Sequence, residues 1–179
     1  MEKKTYTNDE YNSNSGMLTS VWGPSLWHFL HTMSFNYPVN PSKKEIQKYK
    51  TFILNLQNVL PCKYCRINLK KNFKDLCFDD KCFENRYKFS KFVYDLHNHI
   101  NIMLGKQKYK TYEEVRDNYE NFRSRCKKNS KKKGGGNKKE NGCTNPLYGK
   151  KSKCLIRIVP KNSRQKTFKI DKQCLAYRL

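Results

Sequence analysis

The sequence predicts an all-α protein: a compact helical bundle over residues 20–126, followed by a basic extension. Three observations predict it. Apolar residues recur at three- and four-residue spacing in separate windows, capping boxes open two of those windows, and no strand-like alternation interrupts the region. The first 20 residues are polar, with Asn, Ser and Thr prominent, and read as a disordered arm.

Each helix has its own signal. From Pro24 to Tyr37, Trp27, Leu30, His31 and Ser34 follow helical spacing, and Pro24 suits a first turn. "NYPVNP" breaks the chain. Ser42 with Glu45 forms a capping box, and Ile46, Tyr49, Phe52, Ile53, Leu56, Val59 and Leu60 make an apolar stripe that Pro61 ends. A shorter helix starts at Pro61–Cys62 and runs to about Phe73. The next spans 86 to 104, with Phe89, Phe92, Val93, Leu96, Ile100, Met103 and Leu104 on one face, and stops at Gly105. Thr111 with Glu114 opens a fifth helix reaching about Arg125.

Residues 127–142, "KKNSKKKGGGNKKENG", have the composition of a flexible linker. Beyond it, residues 143–179 hold two β-type runs, "CLIRIV" and "KTFKID". A hairpin centred on Arg164 places Cys154 opposite Cys174, where a disulfide would close its open end; a lone two-stranded hairpin is marginal without such help. The net charge of +23 is uneven: residues 127–179 carry 17 Lys or Arg against Glu140 and Asp171. Such a tail suits nucleic acid or another polyanion, although Lys and Asn are abundant throughout, as an AT-rich genome would give. No run approaches the ~18–20 apolar residues that span a bilayer. The N-terminus lacks the apolar core of a secretory signal.

Eight cysteines, Cys62, Cys65, Cys77, Cys82, Cys126, Cys143, Cys154 and Cys174, are many for a chain without such a signal. The pair in "LPCKYC" serves equally as half a zinc site, a structural clip or a redox centre. Zinc needs a second close pair, for which Cys77 and Cys82 are the candidates. This leaves a zinc- or nucleic-acid-binding helical module as the alternative function. A redox role gains support from position, because a cysteine at a helix start is favoured as thiolate. A dithiol still needs a flavin or metal to pass electrons to oxygen. Candidate pocket groups lie one turn apart on two helices: Trp27 with His31, and His97 with Asn101. Taken singly, each reads as an ordinary core residue.

Together they form a pattern. "WGPSLWHFLHTMSFNYP" (22–38), "LPCKYC" (60–65) and "HNHINIMLGK" (97–106) resemble, in order and spacing, three signatures of the Erv/ALR flavin-linked sulfhydryl oxidases. The resemblance covers residues 22–125, and with the boundaries above it defines a domain over 21–126. It implies a four-helix bundle with a short fifth helix, noncovalent FAD, no metal and a homodimer. It implies that Gly23, Trp27, His31, His97, Asn98, Asn101, Lys106 and Tyr119 contact the cofactor. It makes Cys65 the flavin-facing thiol and Cys62 the interchange thiol. The implied reaction oxidises protein thiols, a thioredoxin-like relay protein among the candidates, and reduces oxygen to hydrogen peroxide. The Lys/Asn-rich composition suggests a large-DNA-virus member acting in host cytoplasm, at the virus factory, or in the virion.

Departures from the family pattern are visible. Pro24 stands where relatives commonly have Arg, and Thr111 where a stapling cysteine is expected, leaving Cys77 and Cys82 either as thiols or as an accessory clip. A distal shuttle disulfide recurs in the family, and Cys143, Cys154 and Cys174 are its candidates here. The 16-residue linker has a root-mean-square span of roughly 20–24 Å, enough to reach Cys62. The competing reading of the tail is a separately folded, disulfide-closed basic module.

Overall fold

The computed structural model describes residues 6–107, 110–127, 142–147, 154–156 and 168–170. The chain divides into two compact units, Met1–Arg116 and Asp117–Leu179. The first holds α1 (Asn8–Asn12), α2 (Thr19–Phe35), α3 (Lys43–Val59), α4 (Lys63–Asp75), a 3-10 turn (Asp80–Phe83) and α5 (Arg86–Met103). A sixth helix, α6 (Tyr112–Glu120), runs across the division. The described residues are therefore mostly helical.

Local chemistry sets most helix ends. Ser42 accepts from the Glu45 amide while the Glu45 carboxylate takes the Ser42 amide at 2.8 Å, so the predicted capping box forms. Thr111 and Glu114 repeat it at the start of α6. At the end of α5, Gly105 adopts φ 67°, its amide reaches the Ile102 carbonyl, and the Lys106 amide reaches Asn101 at 2.8 Å. That is a Schellman closure, with glycine where the backbone turns left-handed.

The core is aromatic. Tyr37, Phe83 and Phe89 have no measurable exposure, and Ile53, Val93 and Leu96 pack into the same cluster. Tyr37 joins two elements through polar atoms as well: its hydroxyl donates to the Phe83 carbonyl at 2.9 Å, and its carbonyl accepts from Arg86 Nε. Helix α2 lies against α5, α3 lies against α4, and the 3-10 turn sits under α3 and α5.

Four features differ from the sequence expectation. Residues taken as a disordered arm include α1, capped by Thr7 and Glu10, and a segment at 16–17 that pairs with Pro61–Cys62. Helix α2 starts at Thr19, so Pro24 lies inside it and not in its first turn; one helical hydrogen bond is forgone there. Helix α6 ends at Glu120 in tight turns, Phe122 to Tyr119 and Arg123 to Glu120. Asn118 and Asn121 are poor helix formers that ease this exit.

The fourth difference lies in the strands: the pair expected within "CLIRIV" and "KTFKID" is present in another register, and a further pair precedes it. In the second unit, β1 (Ser124–Lys127) pairs antiparallel with β2 (Gly142–Pro146), so both expected linker boundaries fall inside paired strands. A second pair joins β3 (Cys154–Ile156) and β4 (Phe168–Ile170), with Cys154 opposite Ile170. The register is thus shifted from the one expected, in which Cys154 would face Cys174. The expected Cys154–Cys174 bridge and residues 128–141 of the linker lie outside the described residues.

Candidate active site

Pro61 cannot extend α3, and the chain re-enters helix with Cys62 as the N-cap of α4 at φ −156°. Cys62 Sγ accepts the Cys65 amide at 3.2 Å. This places the sulfur over the positive end of the helix, where a thiolate is favoured. Cys62 and Cys65 are joined in a disulfide, with Cα atoms 5.2 Å apart. Both cysteines are half-buried, and Cys65 packs against the buried cluster.

The turn before the disulfide is fastened by main-chain atoms. The Cys62 amide donates to Leu60, and the Met17 amide donates to Pro61 at 2.7 Å. The Met17 carbonyl in turn accepts from Trp22 Nε1 at 3.1 Å. Gly16 sits at φ 103°, and a Cβ there would lie 2.6 Å from the Pro61 carbonyl oxygen and 2.9 Å from Cys62 Cα. Only glycine permits both the conformation and the approach. Gly16→Val is expected to cost roughly 1–3 kcal/mol in chemical denaturation. It should also abolish hydrogen-exchange protection of the Met17 amide; retained protection would show that this contact does not fix the turn.

A second cluster joins α2 and α5. Gly23, Trp27 and His31 follow one another at four-residue spacing on α2. His31 is 1% exposed, and its Nε2 lies 3.0 Å from His97 Nδ1. The Trp27 and His97 rings stack at 4.1 Å and 7°. Burial, then the charges of His97 and His28, pushes His31 down to about 3. Burial, then the charge of Lys106, brings His97 to about 4. Both imidazoles are thus neutral near pH 7, able to donate and accept, but not to act as cations.

The remaining predicted residues distribute unevenly. Asn98 is buried, Asn101 is half-buried one turn beyond His97, and Lys106 is exposed just past the Schellman turn. A Cβ at Gly23 would meet no atom within 4 Å, so the stripe leaves open space at its start. Tyr119 lies in the second unit. Cys77 and Cys82 are free thiols: Cys77 is exposed at φ 50°, and burial pushes the Cys82 thiol up. Cys143 is disulfide-bonded, and Cys174 lies outside the described residues. Among the described residues, no three His, Cys, Asp or Glu side chains gather as metal ligands.

Comparison with known proteins bears on this geometry. The model of the Erv1/Alr family matches residues 24–127, more than half of the chain. The chain belongs to that family. A probable FAD-linked sulfhydryl oxidase of Acanthamoeba polyphaga mimivirus is 34% identical over 114 residues, covering 64% of this chain and 79% of the relative. An FAD-linked sulfhydryl oxidase of African swine fever virus is 30% identical over 86 residues, covering 48% and 70%. The yeast Erv1 core structure superposes at TM-score 0.52 and 20% identity over 66% of this chain and 92% of that one, a likeness of fold.

The Erv1/Alr match begins at residue 24 and so leaves out Gly16, Met17 and Trp22, of which the sequence reading missed Gly16 and Met17. Gly16, the one glycine in a polar stretch, was the only available signal, and a contact made by backbone atoms leaves no side-chain pattern. Arg66 was missed as well. Its guanidinium Nη1 donates to the Leu60 carbonyl at 2.5 Å, on the turn that carries Cys62.

Proposed function

We propose that the protein is an FAD-dependent thiol oxidase that forms disulfides in protein substrates. The observation that carries this reading is the disulfide closed at a helix start, Cys62–Cys65, in a chain of the Erv1/Alr family. The donor set suits the cofactor. Two neutral imidazoles and two carboxamides can match ring heteroatoms in either hydrogen-bonding sense, the Trp27–His97 pair offers flat aromatic surface, and Lys106 offers a cation for phosphate. Gly23, Trp27, His31, His97, Asn98, Asn101 and Lys106 would hold it, as the family resemblance implies. When bound, FAD supplies a two-electron acceptor that oxygen reoxidises, with hydrogen peroxide as product.

The chain's own residues perform the exchange. A substrate thiolate attacks Cys62 Sγ, the Cys62–Cys65 bond breaks, and Cys65 leaves as thiolate. A second substrate thiolate then attacks the sulfur bound to Cys62, releasing oxidised substrate and the Cys62 thiolate. Two electrons and two protons leave the substrate. Half-burial of Cys65 against the bundle suits it to the inner role. Cys143, which is disulfide-bonded, would with Cys154 and Cys174 form the distal shuttle that the family resemblance implies, relaying electrons from protein thiols. Homodimerisation and action in host cytoplasm or virion accompany the likeness to viral relatives. No described helix is long and apolar enough to cross a membrane.

The test is the visible spectrum of the purified protein before and after dithiothreitol. A band near about 450 nm that bleaches without air, together with oxygen uptake and peroxide in air, is expected. A colourless protein that takes up no added FAD would overturn the reading. Bound FAD without peroxide would instead mark a cofactor-binding scaffold.

A further inference from the structure

Arg66 breaks a local rule. It lies in the first turn and a half of α4, and its side chain turns back to the Leu60 carbonyl, ahead of the helix start. A cation there meets the positive end of the helix dipole, which is unfavourable. Lys63 adds a second cation, and the first turn of α4 holds no acid. Helices α1, α3 and α6 place Glu10, Glu45 and Glu114 at the equivalent positions. Helix α5 likewise opens with two cations, Arg86 and Lys88, and no acid, but its N-cap is Asn85 and not a cysteine. What sets α4 apart is that its cation is tied by its side chain to the turn whose cysteine caps the helix.

The anion that forms there is a thiolate. We propose that Arg66 is a positioning residue for thiol exchange: its side chain anchors the Leu60–Cys62 turn and fixes a positive charge where the Cys62 thiolate develops. The proposal deepens the oxidase reading and rests on it for its biological meaning. In the second exchange step the substrate S–S bond forms, the substrate–Cys62 bond breaks, and Cys62 departs with the electron pair. A sulfur whose anion is stabilised leaves faster.

Among the described residues, the segments packed on the turn add no charge beyond Lys63. The arm contributes Gly16 and Met17, both uncharged, and the end of α3 from Thr51 to Val59 and the start of α2 from Thr19 to Trp27 carry no charged side chain. On α5, Asp95 is engaged by Lys91, His97 faces His31, and His99 meets Asp75 at the far end of α4. Lys63 and Arg66 are the cations of the first turn and a half, and Arg66 is the one tied to the cysteine's own turn.

The test is the pH profile of Cys62 alkylation by iodoacetamide in the reduced full-length protein, read by mass spectrometry of the Cys62 peptide. In Arg66→Gln the midpoint is expected to rise by about 0.5–1 pH unit and the rate at pH 7 to fall roughly three- to tenfold. Arg66→Lys should recover at least half of that shift, since it keeps the charge but not the planar fork. Helix content by circular dichroism should be unchanged, and Arg66→Met replaces the glutamine variant if that one does not fold. An unchanged profile in a folded, uncharged variant overturns the proposal, as does a lysine variant displaced as far as the glutamine one. Alkylation needs neither flavin nor oxygen, so this outcome is independent of whether the oxidase reading survives.

Discussion

Cys65→Ser is expected to lose about 10³-fold or more of thiol-driven oxygen uptake while keeping its fold and its FAD. Without the second sulfur no disulfide can form at the head of α4, and a mixed disulfide at Cys62 has no internal thiolate to displace it. The serine is close in size and Cys65 is only half-buried, so denaturation should move little. Cys77→Ser serves as the control, because Cys77 is an exposed free thiol at the opposite end of the helix that Cys62 caps. Oxygen electrode traces on the three proteins decide the matter. Activity surviving in Cys65→Ser would remove Cys62–Cys65 from the electron path.

Acid should destabilise the bundle through the histidine pair well before the carboxylates titrate. Folded His31 titrates near 3 and His97 near 4, whereas the unfolded chain takes up these protons near the ordinary 6.5. The unfolded state therefore binds more protons below that value. Stability is fully present above about pH 7 and declines as pH falls. By pH 4.5 the loss from His31 alone is on the order of 2–3 kcal/mol, with a smaller share from the more exposed, solvent-screened His97. Glu45 and Glu114, held below their ordinary 4.5 by Ser42 and Thr111, add their loss only at lower pH. Urea midpoints at pH 7.5, 6, 5 and 4.5 would show the slope. A curve flat to pH 4.5 would mean the pair is protonated in the folded state.

What was legible in the sequence is what side chains write into it. The apolar stripes of α3 and α5, the boxes at Ser42 and Thr111, and Gly105 after α5 each announce themselves through residue type at fixed spacing. The meeting of Trp27, His31 and His97 was legible only through resemblance, since no periodicity tells two histidines 66 positions apart that they will touch. Pro24 was misplaced because a proline in the first turn and one early in a longer helix look alike until the helix start is known. The β1–β2 pair and the shifted register of β3–β4 were hidden because pairing in short strands is a main-chain matter, and a slip of register leaves composition untouched.

The contact between Met17 and Pro61 carries one further implication, for anyone who would cut the protein apart. The match to the family model begins at residue 24, yet the turn bearing Cys62 is held by an amide seven positions earlier. A domain excised at the border of that match, or transplanted into another scaffold from that point, would still carry Trp27, His31, the Cys62–Cys65 pair and His97. It would arrive with its redox turn unfastened. The working boundary of this enzyme class, in this chain, lies where the backbone is tied and not where homology fades.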